Sequence, residues 1–146
     1  MAQSGNSETL DSGRLLREWR WLCPPLLTVI DRNAFGDLFL TDEAGRVHMI
    51  DVGSSKLAVI AESIAEFRTA ALSGDKQIEW FEEDAVDAAK ARGFIPGAGQ
   101  CIGFSTPVVF VEGGGLDSAY IADLYEYVGF PGDIRRQIAD VPDRGR

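Results

Sequence analysis

The chain has 146 residues, 45% of them hydrophobic, with a formal net charge of −9, one histidine and two cysteines. At that length a fold buries roughly 70% of the surface its unfolded chain exposes, so one domain can hold together without a metal or disulfide staple. Beyond the three acids and three bases of residues 1–22 and the three acids and four bases of 131–146, the middle of the chain holds 17 acids against 7 bases. That excess repels phosphate backbones, so no direct nucleic-acid binding is expected, whereas a basic protein partner is attracted. The same acids would also keep the protein soluble without any partner. No apolar run reaches the about 20 residues of a membrane span. The polar start "MAQSGNSETLDSG" is not a secretory signal, and a cytoplasmic protein is expected. The expected layout is a disordered polar N-terminus (1–13), one domain (14–142) and a polar tail (143–146).

Leu15, Leu16, Trp19 and Leu22 recur at helical spacing and predict a short helix that stops at Pro24-Pro25, with Trp19 and Trp21 as core anchors. "AFGDLFLTD" (34–42) and "RVHMIDVG" (46–53) are β-rich runs flanking Asp-Glu-Ala-Gly, which predicts a hairpin with positive φ at Gly45. "VGSS" turns the chain into a third strand, "KLAVIA" (56–61), completing a three-stranded antiparallel meander. The period then becomes helical. Ser63-x-x-Glu66 is a capping box, and Ile64, Phe67, Ala71 and Leu72 follow on one face as far as Ser73-Gly74. A second helix is predicted from about Asp75, burying Ile78, Phe81, Ala85, Ala88 and Ala89, with Trp80 half-buried and Gly93 as its stop. The outer face of that helix carries Glu79, Glu82, Glu83 and Asp87 at three- to four-residue spacings, flanked by Asp84. These five are the candidate partner-binding residues.

"FIPGAGQCIGF" (94–104) spaces its glycines G-x-G-x-x-x-G, close to a dinucleotide fingerprint. A fingerprint needs a strand before the glycines and a helix after them; here the predicted order is the reverse. Gly97 and Gly99 therefore read as turn glycines, Gly103 as a close-packed or bulged strand position, and no nucleotide is expected. "AYIADLYEYVGF" (119–130) predicts a strand after the connector "VEGGGLDS" (111–118), and Pro131 opens a helix in which Ile134, Ile138 and Val141 share a face. The sum is an α+β domain: an antiparallel sheet packed against two to four helices.

Little in the chain speaks of catalysis. His48 and Asp51 lie three apart on one strand and so face opposite sides, which leaves them no base–orienter pair. With one histidine and no C-x-x-C spacing, neither a Ser-His-Asp triad nor a zinc site is recognisable, and Cys23 and Cys101 read as reduced thiols. No catalytic residue, cofactor or metal is expected. Asp42 and Glu43 read as a solvated hairpin turn.

"FGDLFLTDEAGRVHMIDVG", "ESIAEF", Trp80, "PGAGQCIGFSTPVV" and "DLYEYVGFPGDIRRQIADVPDRG" together resemble the C-terminal domain of bacterial immunity proteins against type VI secretion DNase effectors. The resemblance runs from about Trp19 to Gly145; its most specific part is the combination of F-G-D-x-F, G-Q-C-x-G-F and Q-x-x-D-x-P. Longer members of that family carry an additional N-terminal domain, and "VVFVEGGGLD" is looser than the family's usual turn there. The resemblance implies a cytoplasmic, non-catalytic protein that neutralises a nuclease toxin by binding it. Two other readings stay open on the residues alone. One is a small-molecule-binding domain or enzyme with a pocket between sheet and helices where His48 or Asp51 projects; the other is a regulatory scaffold of the same fold.

Overall fold

The computed structural model describes residues 9–23, 27–52, 56–104 and 119–129. Two antiparallel sheets and several short helices make an α+β arrangement, as the sequence predicts. The larger sheet has four strands in the order β1 (Thr28–Arg32), β2 (Leu38–Thr41), β3 (Val47–Asp51), β4 (Lys56–Ala61). The predicted meander is present as β2 to β4, with Gly45 at φ 85° in its hairpin. β1 was not foreseen. It is short, polar at its end (Asp31, Arg32), and interrupted by a bulge between Val29 and Asp31, so it shows no clean alternation. The run read as strand from residue 34 is in fact a turn as far as Asp37, with Gly36 at φ 92°.

β2 is buried on both faces, because each side of the sheet is covered. Leu38 and Leu40 pack with Leu15, Leu16, Trp19 and Ile50. On the other face Phe39 meets Phe67 and Phe81 at ring-centroid distances of 5.1 and 5.0 Å. The N-terminal segment is not one helix but a single α-turn, α1 (Ser12–Leu15), followed by a 3-10 turn at Arg17–Trp19. Trp19 is the expected anchor, fully buried with its indole N–H donating to Val128 O at 2.8 Å. Trp21, expected beside it, is 39% exposed, because the change to 3-10 geometry rotates it off the apolar face.

α2 (Ile64–Ala71) starts at its capping serine: Ser63 Oγ accepts from Glu66 N at 3.0 Å, and Glu66 Oε2 accepts from Glu62 N at 3.3 Å. Phe67 and Ala71 are buried as predicted, but Ile64 and Leu72 are exposed. Ser73 then caps α3 (Gly74–Phe81) by accepting from Lys76 N at 3.2 Å.

The single second helix predicted here is two. α3 ends at Phe81, Glu82 adopts φ 53°, ψ 44°, and α4 (Glu83–Ala91) begins immediately after it. The break changes which residues face inward. Trp80, Phe81, Val86 and Ala89 are buried, whereas Ile78 and Ala88, expected in the core, are exposed. Trp80 is only 3% exposed, not half-buried, stacked on Phe67 at 5.3 Å. Gly93 (φ 91°) follows the end of α4 as expected.

The second sheet pairs β5 (Gln100–Phe104) with β6 (Ala119–Asp123). It is fixed to the first through Ile102 N, which donates to Ala34 O at 2.8 Å. The stretch 119–130 predicted as one strand turns helical at Leu124, and α5 spans 124–129. Asp123 Oδ1 accepts from Glu126 N at 3.0 Å and so caps the new helix. Leu124 and Val128, one helical turn apart, are thereby buried together. The connector 111–118 and the helix predicted after Pro131 lie outside the described residues.

Candidate functional site

The glycine loop has the role its neighbours implied. Gly99 takes φ 72°, and Gly97 accepts at its carbonyl from Arg32 Nη2 at 3.4 Å. A Cβ at Gly103 would lie 2.7 Å from the Tyr127 ring, so this glycine is a close-packed strand position. The glycines turn and pack the chain.

His48 is a satisfied core histidine. Its Nε2 lies 2.8 Å from Asp42 Oδ2. Asp42 also accepts from Ala44 N, Arg46 N and Arg46 Nε. The hydrogen bond to His48, joined by those from Arg46, holds the Asp42 carboxyl down at about 2. Asp42 is thus the organiser of the hairpin rather than a loosely solvated turn residue. Cys23 and Cys101 are free and buried, and burial pushes their thiols up to about 11 and about 12, which removes both as nucleophiles near neutral pH.

The most interconnected polar cluster is built on the Phe35-Gly36-Asp37 turn. Asn33, fully buried, accepts at Oδ1 from Phe35 N (2.9 Å) and Asp37 N (3.0 Å), which closes the turn. Its Nδ2 donates to Asp37 Oδ2 (2.9 Å) and to Trp80 O (3.0 Å), which ties the turn to the end of α3. Asp37 Oδ1 accepts from Val52 N at 3.0 Å, at the end of β3. The Glu82 carboxyl, at the α3–α4 junction, feels the Asp37 carboxyl electrostatically. Burial, with the neighbouring acids, pushes Asp37 up to about 6 and Glu82 up to about 7.

Those shifts have a signed consequence. Both folded values lie above their ordinary ones, so the folded chain holds protons that the unfolded chain releases near pH 4. The contribution of these two groups to stability is therefore full below about pH 4, declines as pH rises through about 6 and 7, and is lost beyond, a fall of roughly several kcal/mol. Urea midpoints measured across this range are expected to fall in the wild type and to fall less in Glu82→Gln, where the buried Asp37 still titrates.

The five candidate acids are not presented together. Glu82 is half-buried, within electrostatic reach of Asp37. Glu79 is exposed but bonded to Lys76 Nζ at 2.7 Å. Glu83 is half-buried, with one carboxyl oxygen buried and without a hydrogen-bond partner. Asp84 and Asp87 are exposed on α4, whose opposite side buries Val86 and Ala89. Helical spacing placed the five on one face only for an unbroken helix. The involvement of Asn33 and Asp37 was missed; the one sequence signal was the F-G-D-x-F stretch itself.

A groove of about 440 Å³ runs along β6 and α5, lined by Phe104, Tyr120, Ile121, Asp123, Glu126 and Tyr127 among others. Neither His48 nor Asp51 lines it. Among the described residues no cluster of His, Cys, Asp or Glu is suited to a metal ion, and no helix is long and apolar enough to cross a membrane. A scan of known protein families and a search of curated proteins each find no match to this chain.

Proposed function

We propose that the chain is a cytoplasmic immunity-type protein, which binds and neutralises a basic toxin, a secreted nuclease, through the acidic surface of α4. The observation that carries this reading is the exposed pair Asp84 and Asp87 on a helix whose other side is packed into the domain. The excess of 17 acids over 7 bases between residues 23 and 130 supports it, since a surface built to hold phosphates is rich in Lys and Arg. The resemblance of the F-G-D-x-F and G-Q-C-x-G-F stretches to DNase-effector immunity proteins names the class of toxin.

Exposed charges at an interface act mainly on the association rate. Asp84→Lys with Asp87→Lys is expected to slow association with a nuclease toxin that the wild-type protein neutralises by roughly tenfold at low salt, and much less at high salt. Stopped-flow mixing measures it, alongside survival of cells expressing the nuclease. An unchanged rate with unchanged survival moves the interface off α4.

A second reading rests on the groove along β6, whose volume falls in the range of small-ligand sites. Loss of a bound small molecule on Tyr120→Ala, with toxin protection intact, would favour it.

A further inference from the structure

In the second sheet β6 pairs with β5 on one side only, and the hydrogen bonds show what its other edge presents. Ile102 N donates to Ala34 O at 2.8 Å, away from β6. In an antiparallel pair the N–H and C=O of one residue point to the same side, so Ile102 and its partner Ile121 face each other without mutual hydrogen bonds. The N–H and C=O of Ile121 therefore point away from β5. Leu124 N, which donates to Gly99 O at 2.9 Å, keeps the same alternation three residues on. Among the described residues neither Ile121 group meets a partner. Such an edge is a template for one more strand.

The groove of about 440 Å³ follows this edge. Four consecutive residues of β6, from Tyr120 to Asp123, line it. Their side chains alternate between faces, so the groove runs along the rim of the strand rather than over one face. Tyr120 and Ile121 are 42% and 37% exposed, and the Tyr120 and Tyr127 rings meet edge-on at 6.3 Å. Asp123 and Glu126 are exposed, and no base is among the lining residues. Asp123 spends Oδ1 on the cap of α5; among the described residues neither carboxylate is in an ion pair.

These features select an occupant. Two carboxylates beside aromatic rings suit a guanidinium, which stacks on a ring face and pairs with carboxylates. The same charges repel the β6 edge of a second copy of this acidic chain. We propose that the β6 edge binds an extended, arginine-bearing segment of another protein, which adds as a third strand through Ile121 and sets an arginine side chain against Tyr120, Asp123 and Glu126. The main chain supplies affinity and the groove supplies selectivity. The site uses none of the acids of α4, and it stands whether or not those meet a toxin.

The probe is an amidated peptide of roughly six residues, arginine alternating with valine, titrated into the full chain by calorimetry and amide NMR. Saturable binding is expected, with shifts centred on Ile121 and Asp123. Ile121→Pro removes the outward N–H and leaves the pairing with β5 intact, as proline does on an edge strand; it is expected to weaken binding at least about tenfold. Asp123→Asn with Glu126→Gln keeps the α5 cap, removes both charges, and is expected to do the same. Asp84→Lys with Asp87→Lys is expected to change the affinity less than about threefold, which separates this site from the α4 surface. Should Ile121→Pro not fold, N-methylated peptides take its place: methylating one alternate set of amides abolishes binding and methylating the other does not, whereas equal effects overturn strand addition. No saturable binding below about 1 mM overturns the proposal, as do equal affinities in the β6 variants or shifts confined to α4. So does arginine methyl ester binding as tightly as the peptide, which would mark a small-cation site instead.

Discussion

Asn33→Ala is expected to destabilise the protein by about 4 kcal/mol, the largest effect of any single polar substitution proposed for this chain. The side chain is fully buried and makes four hydrogen bonds. Truncation leaves the amides of Phe35 and Asp37 and the carbonyl of Trp80 without that partner in a region closed to water. Each buried group so orphaned costs roughly 1–3 kcal/mol. Asp37 loses a donor at the same time, so its carboxyl titrates higher still. Urea unfolding at constant pH measures the loss. Asn33→Asp separates the two contributions: it keeps acceptors for the turn amides and removes the Nδ2 donor shared by Asp37 and Trp80. It is expected to be the more pH-sensitive variant, recovering as pH falls. If Asn33→Ala costs less than about 1 kcal/mol, the turn is not held in the way described.

Gly103→Val is expected to cost about 3 kcal/mol and Gly103→Ala about half of that. At this position a Cβ would stand 2.7 and 2.9 Å from two atoms of the Tyr127 ring and 3.1 Å from Tyr120 Cζ. The ring has little freedom to retreat, since Tyr127 OH accepts from Phe104 N at 3.2 Å and the Tyr120 ring meets it edge-on at 6.3 Å. Against the clash stands the gain of replacing glycine in a strand, about 0.5–1 kcal/mol, which is too small to reverse the sign. Thermal and urea unfolding check the values. Tyr127→Leu in the Gly103→Ala background is expected to restore part of the loss, a coupling that two independent sites would not show. A neutral Gly103→Val would mean that Tyr127 does not cover β5.

The chain's own chemistry determined several features that depend on near neighbours. Ser63 and Ser73 start helices because their hydroxyls meet amides three residues on. Gly45 closes a hairpin and Gly93 follows a helix because each takes a positive φ that other residues avoid. The G-x-G-x-x-x-G loop declared itself structural through the helix before it and the strand after it. Helical or strand period likewise placed β2 to β4, α2 and the start of α3.

Tertiary structure decided what requires partners far apart in the chain. β1 exists because Val29 and its neighbours pair with β2, not because its residues alternate. The strand predicted over 119–130 yields to a helix at Leu124, where burying Leu124 and Val128 against the N-terminal segment outweighs the β-preference of Tyr125 and Tyr127. The same competition bears most heavily on the candidate site. Helical spacing put Glu79, Glu82, Glu83 and Asp87 on one outer face, on the premise that the helix continues through residue 82. At the break the side chain of Asn33, 47 positions before Trp80, takes the Trp80 carbonyl. A buried contact across that separation has no periodic trace in the sequence. The acids left facing outward on α4, Asp84 and Asp87, could be told from those turned inward only once the turn and the helix junction were in place.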